Sequence, residues 1–320
     1  MKSEWLFSIV LIFYRLFCSA SISYCQGLES IVHFASLEQS KELLKTEDDF
    51  TRRWSQFDID SRLHKINSKK EDLLNYITSQ VREWKNEEMK KVTSILDSID
   101  AYIHIGGFKI NFPKEIFFIK TTGEEEGGAS GYTRGNYIAF KETAIQTSQD
   151  QFMQLIIHEL FHILSRHDSA FKLSMYNIIG FNLMNEITYP DGLNNRRITN
   201  PDAPKTDSYI TLNIENAPVD CAMLLYSNKQ YDGGDFFKYL EVGFLRLTGG
   251  VTKEINIVNG EQVIYNMEMV SGFHEKVGMN TDYTIHPEEV LADNFVLSIE
   301  NAQNQKSQWL VDKMQNKLRE

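Results

Sequence analysis

Cysteine is almost missing from this chain: three residues in 320, at Cys18, Cys25 and Cys221. Two of them fall in an N-terminal stretch that reads as a leader, so one thiol remains and no disulfide framework can form. The fold must rest on a packed core, which a chain of this length can supply. Proline is scarce as well, six in all with none before Pro113, so nothing interrupts helices over the first third. No Asn-x-Ser/Thr sequon occurs, which leans toward a bacterial source. Positive charge is short: 33 Lys and Arg stand against 44 Asp and Glu, a net charge of −11. That excess disfavours nucleic acid and anionic membrane surfaces as partners. Beyond the leader no apolar run is long enough to span a membrane.

Met1-Lys2 followed by the apolar stretch from Leu6 to Phe17 has the charged start and apolar core of a signal peptide, and Glu4 and Arg15 spoil it as a membrane span. Ala20, Ser23 and Cys25 are candidate cleavage positions with Gln26 as mature start, and Tyr24 before Cys25 is unlike a lipoprotein box. The expected location is therefore periplasmic or extracellular, with no stable membrane insertion after cleavage.

Residues 1–25 are thus a leader, 26–100 a helical region, and 101–320 the main domain, with a structured insertion around 186–268. In the helical region Leu73, Leu74, Ile77, Val81 and Trp84, then Met89, Val92, Ile95 and Leu96, recur at helical spacing. His33 and His64 read there as solvated helix residues. Glu115–Lys120 and Gly131–Phe140 read as strands around a solvated acidic turn, Gly123–Gly128. Phe171–Met184 and Phe236–Leu247 read as helices. Tyr209–Ile214 and Val219–Tyr226 form one expected hairpin. Asn259-Gly260, a type I′ signal, joins Glu254–Val258 to Gln262–Tyr265 in another.

What stands out against this background is Leu155-Ile-Ile-His158-Glu159-Leu-Phe-His162-Ile-Leu164. Residues four apart share a helix face, so His158 and His162 can grip one metal ion, while Glu159, rotated about 100° from His158, can reach a water beside it. Phe152, Met153, Ile156, Ile157, Leu160, Phe161 and Ile163 make the helix apolar on most sides, and Ser148 with Gln151 forms a capping box at its start. Imidazoles in such surroundings need partners. The expected ion is Zn2+, one per chain, with Glu159 as general base.

A catalytic zinc has three protein ligands and one position for water. The best third ligand is Glu289 in His286-Pro287-Glu288-Glu289-Val290-Leu291-Ala292-Asp293. Pro287 suits the first helical position, His286 the cap, and the acids the first turn. Glu288 reads as an acid decorating that terminus. Asp293, four beyond Glu289, can accept the N–H of a ligating histidine. Asp168 is the competing ligand, followed by His167; Cys221 sits in what reads as a half-buried strand.

Together the two motifs, His158-Glu159-x-x-His162 and Glu289-x-x-Ala292-Asp293, resemble the gluzincin branch of the zincin metallopeptidases, the thermolysin-like group. The resemblance covers Tyr102 to Ser298, and only the two helix motifs are specific. It implies an α+β fold: a zincin-like core of a small mixed sheet, the HExxH helix and the third-ligand helix, behind an N-terminal helical region. It implies metal ligation by His158, His162 and Glu289, base chemistry at Glu159, and histidine orientation by Asp293. In zincins an edge strand borders the cleft and pairs with extended substrate, which would put Arg134 and Asn136 on the substrate. The chain departs from the pattern in its longer stretch between the motifs and in having no histidine after Glu289 to stabilise an oxyanion. A metzincin would need a glycine at Ser165 and a histidine at Asp168, though some relatives carry aspartate there. A peptide deformylase would need a cysteine upstream of the motif, where none lies between Gln26 and His158.

The function expected is that of a secreted, monomeric zinc metallopeptidase acting on peptides or proteins. Tyr283 and His286 are candidates for the oxyanion donor, with Tyr265 and His274 behind them. Two other classes stay open: a zincin fold kept as an inactive zinc-binding or adhesion protein, and a zinc hydrolase of a non-peptide bond.

Overall fold

The computed structural model describes residues 27–320; the expected signal peptide, with Cys18 and Cys25, lies outside them. The region expected to be wholly helical contributes strands too. A single helical turn leads into Val32–Phe34 (β1), so His33 is an exposed strand residue. Leu37–Lys45 (α1) and Gln56–Arg62 (α2) follow, each opened by a capping box, Ser36 with Gln39 and Ser55 with Asp58. His64, just past α2, has left-handed backbone (φ 51°) and its ring meets the Gly234 carbonyl. Lys70–Ser79 (α3) stops before Val81, which belongs to Val81–Arg82 (β2). Asn86–Gly106 (α4) then buries Val92, Ile95, Leu96 and Ile99 at helical spacing. It ends at Gly107, whose φ of 65° is the left-handed cap glycine adopts without strain.

Ile116–Thr121 (β3), Gly131–Arg134 (β4) and Tyr137–Lys141 (β5) complete the first sheet, ordered β1-β3-β5-β4. β3 runs parallel to β1 and β5, β2 pairs antiparallel with its far end, and β4 lies antiparallel at the edge. The segment 131–140 is therefore a hairpin and not one strand, because Gly135 (φ 52°) and Asn136 turn the chain. The acidic loop also differs from expectation. Glu124 is exposed, but Glu125 and Glu126 are buried: Glu126 pairs with Arg62 at 2.8 Å, and Glu125 accepts the Tyr132 hydroxyl at 3.1 Å.

Gln149–His167 (α5) and Ser169–Ile178 (α6) lead through Gly180, at φ 75°, into a second sheet. Its meander is Phe181–Leu183 (β6), Ser208–Ile214 (β7), Ala217–Tyr226 (β8) and Glu241–Thr248 (β9), all antiparallel. The expected helix Phe236–Leu247 is a short 3-10 turn followed by β9. With Lys238, Glu241 and Arg246 spaced among apolar residues the segment fits either period, and here pairing to β8 decides it. Glu254–Ile255 (β10) lies on the outer edge of β9. Ile257–Val258 (β11) and Glu261–Gln262 (β12) join through Asn259-Gly260, both at positive φ as a type I′ turn requires. Ile264–Tyr265 (β13) returns to the β9 edge. Phe273–Val277 (α7), Pro287–Ile299 (α8) and Gln308–Arg319 (α9) close the chain.

The result is a mixed α/β fold in which α5 lies between the first sheet, α4 and α8. The main core is built there from Phe118, Phe140, Phe152, Ile156, Phe161, Leu291 and Phe295. Among the described residues no helix is long and apolar enough to cross a membrane.

Burial of the Glu125 carboxyl raises its pKa from 4.5 to about 7, against the hydrogen bonds from Thr121, its own backbone and Tyr132. It holds its proton more tightly folded than unfolded, so its stabilising contribution is full below pH 4.5 and lost as pH rises through about 7. Glu125→Gln should therefore be more stable than the wild type by about 3 kcal/mol above pH 7, the advantage vanishing by pH 4.5. Urea denaturation at a series of pH values checks this; a difference independent of pH contradicts it.

Candidate metal centre

The capping box forms as the sequence requires: Ser148 Oγ accepts from the Gln151 N–H, and α5 begins there. One face of α5 presents His158 and His162, with ring centroids 4.9 Å apart and planes at 76°. On α8, Pro287 occupies the first turn and His286 caps it, its Nδ1 accepting from the Glu288 N–H at 3.1 Å. That start turns Glu289 and Asp293 toward α5.

The side chains converge. Glu289 Oε2 lies 3.1 Å from His158 Nε2 and 3.6 Å from His162 Nε2, and the three donor atoms sit within 4.8 Å of one another. Behind them, His158 Nδ1 meets Asp293 Oδ1 at 2.9 Å, and Thr281 donates its hydroxyl to the other Asp293 oxygen. His162 Nδ1 faces Glu288 Oε1 at 3.5 Å, and Glu288 in turn accepts from Tyr176. Glu288 is thus a buried partner of the second histidine, 3 % exposed, and not a solvated helix-end acid.

Whether these residues suit a cation can be judged from His162. It is 0 % exposed, yet neither ring nitrogen makes a hydrogen bond, a costly state for a dry imidazole. A cation among the two Nε2 atoms and Glu289 Oε2 would satisfy the His162 Nε2 and leave Nδ1 to Glu288. Two imidazoles and one carboxylate are also the donor set of zinc sites that leave a position open. Electrostatics express the same tension. Burial opposes protonation of His158, but its bonds to Asp293 and Glu289 outweigh that and raise its pKa to about 10. Burial likewise opposes ionisation of Glu289, and the two histidines hold it well below the usual carboxylate range.

Glu159 lies beside this group, 2 % exposed, its Oε2 accepting from Thr133 Oγ1 at 2.7 Å. Burial pushes its pKa up, which suits a base. Its Oε1 presses on β4: a Cβ placed on Gly131 would stand 2.8 Å away. Asp202 joins Glu159 on Thr133, its Oδ1 accepting from the Thr133 N–H at 2.6 Å, and a carboxylate oxygen of it lies within 4.8 Å of the ligand atoms of Glu159 and His162. Burial and the Glu159 charge push Asp202 up as well. His158, Glu159, Asp202, Glu289 and Asp293 line a cleft of about 620 Å3 that also takes in Ala129, Phe237 and Tyr283, with His162 buried behind it.

Of the expected site residues, His158, Glu159, His162, Glu289 and Asp293 come together, and Tyr283 stands on the cleft, 48 % exposed. The others do not. His286 is buried as a helix cap away from the cleft, and burial drops its pKa to about 4. Arg134 is 1 % exposed, bound to Asp48 at 2.8 Å and to the carbonyls of Leu44 and Thr46. Asn136 sits in the hairpin turn and donates to the Glu115 carbonyl. Asp168, the rival ligand, caps α6 through the N–H groups of Ala170 and Phe171. Cys221 is buried in β8. Thr133, Asn200 and Asp202 were not legible as site residues; the turn signal Asn200-Pro-Asp202 marks a loop but not where it docks.

A family model described as the eCIS core domain matches residues 121–170. That span holds β4, β5 and α5 with His158, Glu159 and His162, and stops far short of Glu289. No curated protein and no solved structure matches the chain.

The contact of Gly131 with Glu159 gives a direct prediction. Gly131→Ala should destabilise the protein by about 1–3 kcal/mol, the usual cost of overpacking, read from the denaturation midpoint. An unchanged midpoint would show that Glu159 has room to move.

Proposed function

We propose that the chain is a secreted zinc-dependent metallopeptidase of the gluzincin, thermolysin-like kind, with His158, His162 and Glu289 as ligands. The observation that carries the reading is the convergence of these three donors around a buried His162 whose ring nitrogens lack partners. Asp293 would hold His158 in the tautomer that offers Nε2, and Glu288 would do the same for His162. A zinc ion held there would lower the pKa of a water to about 7 and polarise a substrate carbonyl.

The chain's own residues supply the rest. Glu159, anchored through Oε2 by Thr133, keeps Oε1 toward the cleft; it takes the proton of the attacking water and returns it to the leaving amine. The Tyr283 hydroxyl, on the cleft wall, is the donor for the oxyanion. His286 cannot share that role, because it is buried at the start of α8 and does not line the cleft. The outward edge of β4 borders the same cleft at Gly131 and is where an extended peptide would pair, up to Thr133, whose N–H is already taken by Asp202.

Glu159→Gln tests this. It should take up one equivalent of zinc per chain with unchanged folding, while hydrolysis of a peptide library falls by about 10²–10⁴-fold. Undiminished hydrolysis would remove Glu159 as the base, and no zinc in either protein would remove the metal.

A further inference from the structure

Glu289 has two oxygens, and only one of them faces the histidines. The other, Oε1, accepts from the side-chain amide of Asn200 at 2.7 Å. A carboxylate with both oxygens free can bind a cation through one or both, so this contact selects between the two modes. Asn200 is itself held. Its Oδ1 accepts from the Asp202 N–H at 2.9 Å, and Arg166 grips the carbonyls of Pro201 and Asp202 at 3.1 and 3.0 Å.

On the other side, Thr199 donates its N–H and hydroxyl to the two oxygens of Asp58, and its carbonyl accepts from Arg62. Asp58 and Arg62 lie on α2, are 0 % and 3 % exposed, and pair at 2.8 Å. A chain of contacts thus runs from the N-terminal helices through the loop 199–202 to the metal group.

We propose that Asn200 is a positioning residue for the third ligand: its amide occupies Glu289 Oε1 so that Oε2 alone meets the metal, and the Asp58–Arg62 pair keeps Asn200 in place. The proposal rests on the metal reading above. It makes the N-terminal helices a working part of the centre and not a segment to be discarded. It also accounts for an asparagine there, since an aspartate would offer no donor.

The test uses the full chain, stripped of metal and titrated with cobalt(II), with zinc affinity measured by chelator competition. Asn200→Ala should bind zinc about 10–100-fold more weakly. Its cobalt spectrum should weaken in the visible, as the freed oxygen raises the coordination number, while the near-UV dichroism of the metal-free protein stays that of wild type. Asn200→Asp, equal in size, should show the same loss and decides the matter if the alanine variant misfolds. Asp58→Asn should move the spectrum in the same direction from a distance. Wild-type affinity and spectrum in both Asn200 variants would overturn the clamp and leave the metal reading intact. A wild-type protein that takes up no cobalt would overturn both.

Discussion

Two helices, α5 and α8, pack so that a pair of imidazoles and a carboxylate meet at one largely buried point on the floor of the cleft. Buried titratable groups are expensive unless compensated, and much of the surrounding structure compensates them. Asp293 and Glu288 stand behind the histidines, Thr133 behind Glu159, Asn200 behind Glu289. What remains uncompensated is His162, whose ring nitrogens face charged oxygens at distances too long or angles too poor for hydrogen bonds. That buried ring, close to two carboxylates yet without a hydrogen bond, is the feature on which the proposed metal site rests.

Layering around this point explains the fold's other commitments. The sheet edge β4 must come close enough for Thr133 to reach Glu159, and Gly131 is a glycine because a side chain there would strike that carboxylate. The long segment between the motif helices forms its own meander sheet, yet its loop 199–202 turns inward to touch Glu289, Thr133 and the C-terminal end of α5. The N-terminal helices secure that loop through Asp58 and Arg62, so three stretches distant in sequence share one centre.

Local signals were readable from the chain. A capping box, a histidine pair one turn apart, Pro287 behind a capping residue and an acid pair four apart each depend only on nearby residues, and each takes its expected form. The features that were misread depend on remote ones. Arg134 looks like a polar strand residue, but Asp48 and two carbonyls bury it. Glu288 looks like helix-end decoration until Tyr176, 112 residues away, is seen to meet it. Val32–Phe34 has too few residues to show a period, and only the open edge of β3 makes it a strand. Asn200 and Asp202 carry an ordinary turn signal, and their partners lie 89 and 69 residues off.

X-ray absorption at the zinc edge, on protein stripped and reloaded with one equivalent, addresses the central claim most directly. The account predicts a first shell of two nitrogens at about 2.0–2.1 Å with a carboxylate oxygen at about 2.0–2.2 Å and one further light atom. It also predicts the outer-shell scattering of two imidazole rings. A shell containing sulfur, or one of oxygen alone without imidazole scattering, would contradict it.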